Sequence, residues 1–187
     1  MPIPDWNAQG VVPPIDVLAP ASPVRSPYAV PLKEFVEKYA TSMERRSILR
    51  GYLQYRLAWH KVGLNEGFQW VNGSFSEEVE KLEGRPPKDI DVVTFFTKTT
   101  HVDLALVGDL ADHAFVKQTY KVDGYPLELD LLSPSEIVAH SAYWYSMWSH
   151  RRNYMWKGFF EIDLAPSEEA KLIQFLNTLD NSNGATP

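Results

Sequence analysis

Three aspartates and a Gly-Ser pair carry the chemistry that this sequence can do. Asp89 and Asp91 flank Ile90 at the head of an apolar run, residues 90–96. In a strand, side chains two apart share a face, so the two carboxylates project side by side. Like charges that close repel, and a magnesium ion, which prefers oxygen ligands, relieves the repulsion. A third carboxylate can come from an adjacent strand: in residues 127–132, Asp130 stands among leucines, with Glu128 on the same face. An acid in such a run calls for a partner. Gly73-Ser74 closely follows a second apolar stretch, residues 68–71. Glycine lets backbone approach a phosphate, and turn amides with a serine hydroxyl can cradle an anion. Phosphoryl-type transfer uses this combination, with donors on the leaving phosphates and metal bridging nucleophile and leaving group.

The elements that must position these groups are readable from periodicity. Eight prolines within residues 1–31 exclude helix and central strand, so this part is an extended arm. Its Trp6, Val11, Val12, Ile15, Val17 and Leu18 imply that it lies against the domain, residues 32–180. Helical spacing begins at Leu32, and Thr41 to Glu44 has the form of a capping box opening a helix to Lys61. Residues 68–71 and 90–96 read as strands, with a charged helix fragment and loop at 77–88 between them. Residues 103–117 read as a helix. Residues 119–122 and 126–132 flank Asp123-Gly124, a hairpin signal. Ser133-Pro134-Ser135-Glu136 is a second capping box, for a helix to Trp148. A strand at 156–164, a helix at 167–179 and a frayed tail, 181–187, complete an α+β order: a small mixed β-sheet flanked by helices.

A strand, Gly73-Ser74, a spacer, Asp89-Ile90-Asp91 in a second strand and Asp130 on a later one resemble the signature of the DNA polymerase beta-like nucleotidyltransferase superfamily. The likeness spans residues 68–132. Ile3-Pro4-Asp5-Trp6-Asn7 with Gly10-Val11-Val12-Pro13-Pro14, Asn72-Gly73-Ser74-Phe75 and Trp156-Lys157-Gly158-Phe159 resemble an uncharacterised bacterial family of minimal nucleotidyltransferase-like proteins. The resemblance implies Gly73 and Ser74 on a triphosphate, Asp89 and Asp91 on Mg2+ or Mn2+, and Asp130 as third carboxylate, assisting the metal and activating the acceptor. It implies transfer of a nucleoside monophosphate from an NTP, ATP by default, to a hydroxyl of RNA, protein or a small molecule. The sequence departs from the usual pattern in its long spacer, residues 75–88, with Glu77, Glu78, Glu80 and Glu83 inside it.

The alternative is a catalytically silent module that keeps the fold to bind a nucleotide or a partner protein from a neighbouring gene, as in a toxin–antitoxin or phage-defence pair. Arg151, Arg152 and Lys157 follow a dense aromatic run, residues 143–148, and form a candidate phosphate patch, to which Lys117 and Lys121 can add. Packing of those aromatics on the sheet is the plainer reading of the run. Arg45, Arg46 and Arg50 read as a solvated helix face, Asp103, Asp109 and Asp112 as helix surface, and Asp123 as turn chemistry. The five histidines show no zinc spacing.

Composition sets the outer limits. An apolar fraction of 44% with 13% aromatic residues in 187 residues supports one well-packed core. The absence of cysteine excludes disulfides, thiolate metal sites and a cysteine nucleophile. A net charge of −6 disfavours a general nucleic-acid binder, so any RNA contact must be local. No apolar run is long enough to span a bilayer, and the expected location is cytoplasmic.

Overall fold

The computed structural model describes residues 3–98 and 104–183. Five strands form one mixed sheet: β1 (Tyr28–Ala29), β2 (Glu66–Asn72), β3 (Ile90–Thr97), β4 (Val122–Glu128) and β5 (Phe160–Asp163), in the order β1-β5-β2-β3-β4. β2 runs antiparallel to both β3 and β5, whereas β1 pairs with β5, and β3 with β4, in parallel. Helices α1 (Leu32–Tyr39), α2 (Met43–Lys61), α3 (Val79–Glu83), α4 (Leu104–Ala111), α5 (His113–Tyr120), α6 (Pro134–Trp148) and α7 (Glu169–Asn183) surround it. None of them is long and apolar enough to cross a membrane.

Strand alternation divides the core in two. Val71, Ile90, Val92 and Phe96 point to one face, where they join Phe35, Tyr52, Trp59 and Leu176 from α1, α2 and α7. Trp70, Val93 and Phe95 point to the other, where α6 covers them with Trp144 and Trp148. The aromatics of α6 therefore pack on the sheet. Val12 and Tyr28 of the arm are buried in the first cluster, and the arm supplies β1.

Several boundaries move, each for a physical reason. Ser42, not Thr41, caps α2, its hydroxyl accepting from the Arg45 amide, so Glu44 is not at the capping-box position. Glu136 does complete the box of α6 by accepting from the Ser133 amide. The helix expected at 103–117 is two helices, broken at Asp112, whose carboxylate caps α5 by accepting from Phe115 N; Asp103 lies outside the described residues.

The expected hairpin at Asp123-Gly124 is absent, because both residues lie within continuous β4. Gly124 is not in the positive-φ region that a type I′ turn needs. It is small for packing: a Cβ there would stand 2.9 Å from the Tyr55 hydroxyl.

Candidate functional site

β2 ends at Asn72, and the chain reverses at Gly73, whose φ is +88°. A Cβ on Gly73 would lie 2.9 Å from the Asp91 carboxyl carbon, so this turn needs glycine both for its conformation and for its contact. Ser74 then opens a short 3₁₀ turn to Ser76. The carbonyls of this turn are held from beneath. Arg45, fully buried, donates to Phe75 O at 2.7 Å and Glu77 O at 2.6 Å, and pairs with Glu80 through two nitrogens. Trp6 of the arm donates to Ser76 O at 2.8 Å and lies over the Arg45 guanidinium. Arg45 is thus no solvated residue. Neither is Arg46, which is 5% exposed and paired with Asp180.

Asp91 is paired with Asn72 across β2–β3 and with Asp123 across β3–β4. Asp89, Asp91 and Asp123 share the α6 face, since Ile90, Val92 and Val122 occupy the opposite core. The Lys117 ammonium, at the last turn of α5, bridges Asp89 at 3.0 Å and Asp123 at 2.7 Å. The His113 imidazole, at the other end of α5, also bonds Asp123. Asp123 is the carboxylate that the sequence reading missed. The parallel register of β3 and β4 brings it to Asp91, and nothing local in the sequence encodes that register.

Asp130 does not join them. It sits in a 3₁₀ turn beyond the far end of β4, where its carboxylate accepts from the Lys98 amide at 2.6 Å. Glu128 pairs with Lys98 there, at 2.7 Å. The structure thus places Asp130 outside the cleft, and the carboxylate that stands with Asp89 and Asp91 is Asp123.

Gly73, Ser74, Asp89, Asp91, Lys117, Asp123 and Arg151 all line one cleft of about 840 Å³, together with Arg152 and Lys157. Buried Lys157 donates to Glu77 Oε1 at 2.6 Å and to Gly73 O at 3.3 Å. Arg151 bonds Glu77 Oε2 at 2.9 Å and also Glu83. Arg152 makes no ion pair among the described residues. Lys121, by contrast, donates to Ser47.

Burial raises the Asp91 pKa from the ordinary 3.8 to about 6, and the neighbouring Asp123 and Asp89 charges add to it. Burial also acts on Asp123, but hydrogen bonds with Lys117, His113 and Tyr125 outweigh it and hold that carboxyl below its usual value. The hydrogen bond to Asp123 raises the Lys117 pKa, so the ammonium is charged at neutral pH.

The fit of a divalent cation can be judged from these groups. Among the described residues no three His, Asp or Glu side chains form a ready-made metal cage; the Lys117 cation stands between two of the oxygens instead. Two carboxylates that already hold one cation, beside a third whose ionisation is opposed by its neighbours, are the donor set that a hard dication satisfies. The cleft lining also carries five acids against five lysines and arginines, so a triphosphate would need added cations. Asp89, Asp91 and Asp123 offer the oxygen chemistry that a hard dication takes, and in this arrangement the Lys117 ammonium holds two of them.

Asp91 gives a pH-dependent expectation. Its folded-state pKa lies above the unfolded one, so its favourable contribution is complete below about 3.8 and is lost as pH rises through about 6. At pH 7, Asp91→Asn is expected to stabilise the metal-free protein by roughly 1–3 kcal/mol, an advantage that vanishes near pH 4. Urea unfolding of both proteins at pH 4 and pH 7 measures it. An equal difference at the two pH values would contradict the assignment.

Fold and cleft define a mixed-sheet α/β protein with a carboxylate cluster set against a glycine turn. The chain belongs to a family of unknown function (DUF6932), whose family model matches residues 4–163. No curated protein and no solved structure matches it.

Proposed function

We propose that this chain is a metal-dependent nucleotidyltransferase of the DNA polymerase beta-like fold, moving a nucleoside monophosphate from an NTP, ATP by default, to an acceptor hydroxyl. The observation that carries the reading is the convergence of Asp89, Asp91 and Asp123 on one sheet face, with the Gly73-Ser74 turn directly beside them. The three carboxylates would hold Mg2+ or Mn2+, which when bound supplies charge neutralisation for the triphosphate and the transferring phosphoryl group. Gly73 brings backbone close to the phosphates, and Ser74 and Arg152 offer donors to them. Lys157 and Arg151, anchored by Glu77, keep positive charge behind the turn.

In the reaction the acceptor oxygen forms a bond to the α-phosphorus as the bond to the β-phosphate bridging oxygen breaks. Pyrophosphate leaves with that electron pair, and the hydroxyl proton passes to the Asp123 carboxylate. Incubation with each α-labelled NTP, Mg2+ and a cell extract tests the reading. Labelled product that requires Asp89 and Asp91 supports it, and no product with any NTP counts against it.

A finer expectation concerns Ser74. Losing a hydroxyl donor to a charged phosphate costs about 1.5–3 kcal/mol, so Ser74→Ala should weaken ATP binding roughly 10–100-fold in calorimetry. The rate of transfer from bound ATP should change much less. One observation favours the silent-module reading instead: Lys117 already neutralises Asp89 and Asp123. If the ammonium merely competes with metal, Lys117→Met should tighten Mn2+ binding about tenfold or more. If Lys117 replaces metal for good, neither protein will bind it.

A further inference from the structure

A second cavity of about 540 Å³ opens on the α6 face, between β4 and α6, and shares Tyr125 and Trp144 with the carboxylate cleft. Trp144 meets two other aromatic residues of its lining. Tyr125 and Trp144 centroids are 4.9 Å apart, and Tyr143 meets Trp144 edge-on at 5.3 Å. Besides the tyrosines, His140 and Glu136 are its titratable lining residues, and among the described residues no lysine or arginine borders it. The Glu136 carboxylate accepts from Ser133 through one oxygen, whereas the His140 ring makes no hydrogen bond among the described residues.

Its place in the cleft is informative. Tyr125 lies two residues beyond Asp123 on the same strand face, while Gly73-Ser74 lies on the opposite side of β3, at the end of β2. Across the sheet the order is therefore glycine turn, carboxylates, ring-lined cavity. The triphosphate and the cavity's occupant would meet at the aspartates from opposite sides.

Resting on the transferase reading, we propose that this cavity is the acceptor subsite and takes the base of a nucleoside, free or at the end of an RNA chain, its ribose hydroxyl turned to Asp123. Aromatic walls favour a planar ring that can stack on them. Without a cationic side chain the cavity has nothing to hold a triphosphate, which separates it from the NTP site. A nucleobase also carries donors and acceptors on its edge, to which His140 and the second Glu136 oxygen are suited. A phenol offers a single hydroxyl to the two of them, whereas a base edge can engage both.

Calorimetry of the full chain with adenosine, guanosine, cytidine and uridine tests the inference, alongside ATP with Mg2+ and N-acetyltyrosinamide. At least one nucleoside should bind, and Ala139→Met, which fills the cavity, should weaken it about tenfold or more while ATP affinity stays within about twofold. Tyr143→Ala, on an exposed wall residue, should weaken the same nucleoside and guards against a filled variant that folds badly. A single-stranded RNA trimer with a free 3′ hydroxyl binding more tightly than its terminal nucleoside identifies the chain end as the source. The reverse order identifies the free nucleoside.

Nucleoside binding unaffected by both variants overturns the site, as does capture of N-acetyltyrosinamide in place of any nucleoside. ATP binding without nucleoside binding overturns the inference and leaves the transferase reading intact. Nucleoside binding by a chain that neither binds ATP nor transfers label overturns the acceptor role.

Discussion

On the proposed transferase reading, Asp123→Asn is expected to slow nucleotidyl transfer by roughly 10²–10⁴, the scale of a lost general base, whereas Asp130→Asn leaves it within a few-fold of the wild type. Asparagine keeps the shape of Asp123 but removes the charge that Lys117 and His113 now hold and the oxygen that would accept the proton. ATP affinity should fall much less than the rate. Asp130, whose carboxylate accepts from the Lys98 amide, lies outside the carboxylate cleft, and its loss should register only as a small change in melting temperature. Single-turnover measurement with α-labelled ATP separates rate from binding. Equal losses in both variants would return Asp130 to the site, and no loss in Asp123→Asn would remove Asp123 from it.

The second large effect is expected on stability. Arg45→Met should destabilise the protein by roughly 3–5 kcal/mol, because it strips hydrogen bonds from the buried Phe75 and Glu77 carbonyls and the ion-pair partner from Glu80. For a chain of this size that corresponds to a melting temperature lower by roughly 6–20 °C. Lys33→Met is the control. Its ion pair with Glu37, at 3.9 Å and exposed on both sides, should contribute less than about 0.5 kcal/mol. An Arg45→Met protein that melts within 2–3 °C of the wild type would mean that water replaces the guanidinium at those carbonyls. The effect bears on function, since the same contacts fix the turn that begins at Gly73.

Local pattern was enough for some of this arrangement and blind to the rest. Alternation alone placed Asp89 and Asp91 on one face, because the apolar residues between and after them leave no other register. Gly73 was legible as a turn glycine next to carboxylates, and its contact with Asp91 gives that a physical basis. Asp123 was hidden by its neighbour. Asp-Gly is a strong turn signal, but Gly124 is dictated by Tyr55, a contact nearly seventy residues away in sequence. Arg45 was misread for the same reason, since its helix position looks solvated until Trp6 and residues 75–77 close over it. The strand β1 was invisible because two residues carry no period. Burial and strand partnership are set by distant segments, and a window along the chain cannot contain them.

The strand order has a consequence for synthesis. β5 lies between β1 and β2, although it follows both far along the chain, beginning at Phe160 where β2 ends at Asn72 and β1 at Ala29. A nascent chain emerging from the ribosome can pair β2 with β3 and β3 with β4, but the flank of β2 stays open until Phe160–Asp163 appear. The sheet is therefore closed by a late keystone. Such non-local pairing folds slowly and exposes strand edges while it waits, so premature termination shortly before Phe160 would release a protein with its aspartates translated and β1 unpaired.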